Sequence, residues 1–168
     1  MALNHARHVI PRSTLPCLVQ ALVLSTVRYC MSVYGSCSIT QTHRIQKIIN
    51  FCARVVSGRK RSDHVSDVIK DLGWMDAKQL VEYHTVCAVH TALKSGQLSY
   101  IRSTIGPAAS QRHEHNTRHA SNLTLPPIRT EAGRRRLCYR GVALLNNCGL
   151  DVDDPQFRQT LKQHILSR

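Results

Sequence analysis

His113, His115 and His119, the aspartates at 151, 153 and 154, and two groups of arginine and lysine are the side chains whose types and spacing could support chemistry. Structural zinc needs four converging ligands, usually in two closely spaced pairs. No two cysteines are spaced as CxxC, and Cys138 is the nearest thiol to the histidine group, so a zinc site is not expected. Asp151, Asp153 and Asp154 could gather a divalent cation, but Pro155 follows at once. Asp–Pro reads as the opening of a helix, where carboxylates oppose the positive end of the dipole. The chain has no GxSxG, P-loop or GxGxxG pattern, and its cysteines lie mostly inside apolar runs rather than in an activated setting. No catalytic residue, cofactor, metal or small-molecule substrate is expected.

The basic positions remain. One set is Arg44, Lys47, Arg54, Arg59, Lys60 and Arg61; a second is Arg129, Arg134, Arg135, Arg136 and Arg140. Clustered cations with few interleaved acids are the footprint of phosphate contact. A face charged only for solubility would more often mix signs. The formal charge is +13, from 23 Lys+Arg against 10 Asp+Glu, which biases partners towards polyanions, nucleic acid before anionic membrane.

The elements that must position these residues read as helices. A chain of 168 residues suits one domain, or a compact domain with an appendage, and can bury a core without disulfides. Seven cysteines, an odd number, indicate a reducing, intracellular compartment, nuclear or cytoplasmic. The apolar stretch at 17–27 is too short to span a bilayer and runs into Arg28, so neither a transmembrane helix nor a signal peptide is expected.

Ser13-Thr14 with Pro16 signals a first helix, with Leu15, Leu18, Val19, Leu22, Val23, Val27, Cys30 and Tyr34 at helical spacing and Gly35 at its end. Thr40 is the expected cap of a second helix. Its apolar arc is Ile45, Ile48, Ile49, Cys52, Val55 and Val56, its terminator is Gly58, and Arg44, Lys47 and Arg54 lie beside the arc. Asp63 should cap a short third helix with Gly73 past its end, and Asp76 a fourth over about 76–95 that leaves little polar face. His84 and His90 read as packed core histidines. Residues 99–105 give at most a turn or two, and from about 106 a polar, aperiodic loop begins. The segment 123–130 reads as extended, 134–145 as helical, and Asp154-Pro155 as opening a last helix with Phe157, Leu161 and Ile165 on one stripe. The expected fold is mainly α: a bundle of about four helices over 13–105, then an irregular appendage over 106–168 with a short extended segment and one or two further helices.

The blocks "LVLSTVRYCMSVYGSC", "QKIINFCARVVSG" running on to "LGW", "HNTRHASNLTLPPIRTEAGRRRLCYRGVALLNN" and "FRQTLKQHIL" occur in this order. Together, over about 15–166, they resemble the region downstream of the catalytic palm in LINE-type (non-LTR) retrotransposon reverse transcriptases. The most specific pieces are the block from Gln46 to Trp74 and Asn116-Thr117-Arg118. One position departs: Leu145 stands where the family usually has tryptophan before Asn146.

The resemblance implies a thumb, a helical element lying along a primer–template duplex behind the polymerase site. It adds Arg118 to the candidate nucleic-acid contacts and implies an RNA–DNA hybrid or duplex backbone as partner. The family's paired palm aspartates and its endonuclease domain have no counterpart in these residues, so the chain by itself is not expected to be an enzyme. Two other readings stay open at this point: a transposon relic without activity, and a helical interaction domain adopted by a host.

Overall fold

A computed structural model of the chain describes residues 8–95, 99–108 and 122–168. The protein is mainly helical and divides into two compact units, one up to Leu80 and one from Val81. Among the described residues no helix is long and apolar enough to cross a membrane.

The first unit opens with α1 (Leu15–Val19), whose first turn contains Pro16 and whose N-cap, Thr14, makes no side-chain hydrogen bond. Proline's fixed φ, rather than a hydroxyl cap, sets this start. The helix continues as a π-turn (Gln20–Leu24) and α2 (Ser25–Arg28). The uninterrupted helix expected as far as Gly35 is broken at Tyr29 and Cys30, and Cys30 is left-handed at φ 53° before α3 (Met31–Tyr34). The local sequence explains the weakness. Ser25 and Thr26 donate their hydroxyls to the carbonyls of Ala21 and Leu22, which competes with the helical ladder. The π-turn also shifts the register, so Leu24 is buried while Leu22, expected inward, is 60 % exposed.

α4 (Ile39–Ser57) starts from Ser38, whose carbonyl accepts from Gln41 N and Thr42 N at 3.0 and 3.1 Å. Thr40, the expected cap, lies inside the helix. Ile49, Cys52, Ala53 and Val55 are buried, whereas Ile48, expected on the same arc, is exposed. Gly58 ends the helix at φ 72°. Val65, not Asp63, occupies the N-cap position of α5 (Ser66–Asp71) and makes no side-chain capping bond, while Asp63 has another use in the preceding joint. It closes in a Schellman arrangement: Gly73, at φ 62°, donates to Lys70 O, and Trp74 N donates to Ile69 O. Trp74 and Met75 are then buried.

α6 (Ala77–Ser95) begins with the expected cap. Asp76 Oδ1 accepts from Gln79 N at 2.8 Å, and Gln79 Oε1 accepts from Asp76 N at 3.0 Å, a reciprocal capping box. A third orphan donor of this first turn, Ala77 N, is satisfied from far along the chain by Gln46 Oε1 at 2.8 Å.

The second unit takes up the rest of α6 and adds α7 (Ser99–Thr104), β1 (Gly106–Ala108), β2 (Leu123–Thr124), α8 (Glu131–Arg134), α9 (Leu137–Cys148) and α10 (Phe157–Leu166). The strands pair antiparallel, Gly106 opposite Thr124 and Ala108 opposite Leu123. β2 covers only the first two residues of the segment expected to be extended over 123–130. The Asn146 side chain clasps it, accepting from Leu123 N at 3.0 Å and donating to Leu123 O at 2.9 Å. The helix expected from Arg134 instead starts at Leu137, after the separate turn of α8, and runs on to Cys148.

Val86 and Val89 of α6 share one core with Ile105, Val142, Leu145, Phe157, Leu161 and Ile165. That cluster is why the chain divides at Leu80 and not near 105: most of the expected fourth bundle helix buries its apolar residues with the C-terminal helices. The Phe157, Leu161 and Ile165 stripe is buried as its spacing required. His90 stacks on Phe157 at 4.1 Å between ring centroids, and its Nε2 lies 3.0 Å from Val152 O.

Candidate nucleic-acid interface

The first basic set is brought together by α4 and the joint that follows it. Lys47, Asn50, Phe51, Arg54, Val55, Arg59, Lys60 and Arg61 line a hollow of about 830 Å³. Lys47, Phe51 and Arg54 come from one side of α4, at the i, i+4, i+7 spacing of a helix face, away from buried Ile49, Cys52 and Ala53, with buried Val55 at the edge. Arg44, one turn earlier, does not reach the hollow and donates to Gln41 Oε1 at 3.4 Å.

The joint is held by hydrogen bonds of its own. Arg54 donates through Nε and Nη2 to Asp63 O, at 3.2 and 3.0 Å. Asp63 Oδ2 accepts from Lys60 N at 2.8 Å, which is the role that removes it from capping α5. Arg59 donates from Nη1 to His64 O and, at 2.7 Å, to Asp67 Oδ1, and from Nη2 to Asp67 Oδ2, a two-pronged guanidinium–carboxylate pair. The Arg59 hydrogen bond holds the Asp67 carboxyl at about 2, and the same bond raises the Arg59 guanidinium above its ordinary range.

The five cations of the hollow therefore differ. Arg59 is neutralised by Asp67. Arg54 bonds a carbonyl and keeps its charge. Lys47, Lys60 and Arg61 make no side-chain hydrogen bond or ion pair among the described residues, and all three are exposed. A wall of uncompensated cations on a hydrogen-bonded loop can hold phosphates with little further ordering.

The second set has no such convergence. Arg134 and Arg135 flank Glu131 at 4.0 and 3.8 Å on an open surface. Arg136 is the exposed N-cap residue of α9, Arg129 is exposed, and Arg140 donates to Thr85 Oγ1 at 3.1 Å. Arg118, with Asn116, Thr117 and the histidines at 113, 115 and 119, lies outside the described residues.

Two other candidate chemistries have plain structural roles. Asp154 accepts from Gln156 N and Thr160 Oγ1 at the mouth of α10, Asp151 accepts from Asp153 N, and Asp153 pairs with Lys94. Among the described residues no group of three or more histidines, cysteines or carboxylates is placed to hold a metal. All seven cysteines are free thiols. Burial pushes Cys52 up to about 11 and raises Cys87 and Cys148, the opposite of an activated nucleophile.

Reasoning from the sequence missed Phe51, Asn50 and Asp67. The signal for Phe51 was present: it falls four residues after Lys47, on the basic side of the wheel and away from the apolar arc. Asp67 was not legible as the partner of Arg59, because that pair spans a loop and a helix start.

No protein-family model, no curated protein and no solved structure matches the chain. The fold and the hollow thus define it only as a mainly helical protein with a basic hollow formed by one helix and the joint behind it.

Proposed function

We propose that the chain binds nucleic-acid backbones without reading sequence, as the thumb-like part of a protein similar to LINE-type reverse transcriptases. The observation that carries the reading is the convergence of Lys47, Arg54, Lys60 and Arg61 on one hollow whose joint is already fixed by hydrogen bonds. The ordered resemblance from about 15 to 166 supports it independently. Polymerisation is no part of the proposal: holding two catalytic metals takes an acidic motif that these residues do not supply.

Each phosphate neutralised on a duplex releases condensed counterions, and affinity falls with salt at a slope of about −0.9 per contact. Replacing Lys47, Lys60 and Arg61 together by glutamine should flatten that slope by about 2 to 3 on RNA–DNA hybrid, to a similar degree for unrelated sequences. Arg59→Gln alone should flatten it by less than about 1, because that charge is already paired. An unchanged slope in a correctly folded triple variant would reduce these residues to solvating charges.

A further inference from the structure

Phe51 is a large aromatic ring, 47 % exposed, on a helix face that also carries Lys47 and Arg54. It is not among the buried core residues of α4, which are Ile49, Cys52, Ala53 and Val55. It faces the hollow between Lys47 and Arg54, its i−4 and i+3 neighbours, with Lys60 and Arg61 contributed by the joint. Beside it Asn50 accepts from Gln46 Nε2 at 2.8 Å, and its own amide N–H groups make no hydrogen bond among the described residues. The hollow, about 830 Å³, is open to solvent along one side.

We propose that Phe51 is a stacking platform for an unpaired base, so that the hollow selects a single strand over a continuous duplex. The proposal rests on the backbone-binding reading above and names the substrate form that the same hollow takes. Inside a duplex the bases are already stacked on one another, and a backbone-following surface meets phosphate and sugar. An aromatic ring set among cations gains nothing there. Against an unpaired nucleotide the ring covers a base face while the neighbouring cations hold the flanking phosphates, the combination that binds single strands with little sequence preference. The Asn50 amide supplies donors for a base edge or a phosphate oxygen.

The test uses the full chain with a single-stranded oligonucleotide carrying 2-aminopurine and with the same strand in a blunt duplex. Wild type should bind the single strand at least as tightly as the duplex and change the 2-aminopurine emission on binding. Phe51→Leu should weaken single-strand binding about tenfold or more and abolish the emission change, while duplex affinity stays within about twofold and the salt slope is retained. Phe51→Trp should restore both. The ring is half exposed and leucine keeps an apolar side chain at its covered part, so thermal melts of these variants should stay close to wild type.

Equal losses on both substrates, or no loss on the single strand, would overturn the stacking proposal. If the lysine–arginine variant still flattens the salt slope in that case, the backbone reading survives alone. If Phe51→Leu acts as expected but the charge variant does not, the ring meets a base without these cations, and the backbone reading falls together with the proposal that rests on it.

Discussion

Gly141 in α9 is a sensitive point of the second core. A Cβ added there would come within 3.0 Å of Val89 Cγ2 and stand 3.4 Å from Thr85 Cγ2. Gly141→Ala therefore sets two effects against each other. Alanine in a helix interior is better than glycine by about 1 kcal/mol. Forcing a methyl into a filled core costs about 1–3 kcal/mol. Which wins depends on whether Val89 can give way. It is fully buried, and a helical valine has one strongly preferred χ1 rotamer, so it has little room to turn. The strain should win, with a net loss of about 1 kcal/mol and a fall in Tm of about 2–4 °C.

A partner mutation isolates the contact between Gly141 and Val89. Val89→Ala should cost about 2 kcal/mol through the lost methyls and the space they leave. In the double variant the new Cβ occupies part of that space. The two losses should then sum to about 1 kcal/mol more than the double variant shows. Urea unfolding followed by far-UV circular dichroism would measure all three. Strict additivity, or a Gly141→Ala protein about 1 kcal/mol more stable than wild type, would refute the close helix contact.

Two pH effects follow from other contacts. Asp67 is held at about 2 by its hydrogen bonds to Arg59, below its ordinary 3.8, so the pair stabilises the fold above about 3.8 and loses that effect as pH falls towards 2; in Arg59→Gln the Asp67 carboxyl should titrate at higher pH by carbon-detected NMR, and an unchanged midpoint would mean the pair does not form in solution. His90 is lowered from its ordinary 6.5 by burial against Phe157, with Lys94 and Arg158 pushing the same way and the Val152 carbonyl and Asp153 opposing. The fold therefore favours neutral imidazole, and its stabilisation is present above 6.5 and lost as pH falls below that value; Tm should drop on acidification through this window in wild type and drop less in His90→Gln, and parallel pH profiles would contradict it.

The parts legible in the sequence were those set by residues a few positions apart. Gly58, Gly73, the Asp76 cap and the Phe157–Leu161–Ile165 stripe each carry their meaning within one or two helical turns, and each is found in place. The failures come from competition. Ser38 outcompeted Thr40 at the start of α4, and Asp63 was drawn to the Lys60 amide and away from α5. The π-turn and the left-handed Cys30 broke a helix that periodicity drew as continuous. The division near residue 80 was hidden because α6 is apolar on most sides, and apolar periodicity does not say which partner each side will meet. For the interface, the charges could be listed from the sequence. Their inequality could not, because it depends on which cation Asp67 reaches.

The bond from Gln46 to Ala77 has a consequence for how the first unit is assembled. Helix starts are usually satisfied by side chains next to them, so their amides become protected as soon as the local turn forms. The Ala77 amide instead waits for a carbonyl supplied 31 residues earlier, on α4. Its hydrogen exchange should therefore report docking rather than helix formation. The neighbouring Gln79 amide, held by Asp76 within the same turn, gives the local reference. Where the two exchange together, the unit opens as one cooperative body. Where Ala77 exchanges first, α4 has lifted away while the capped end of α6 remains wound.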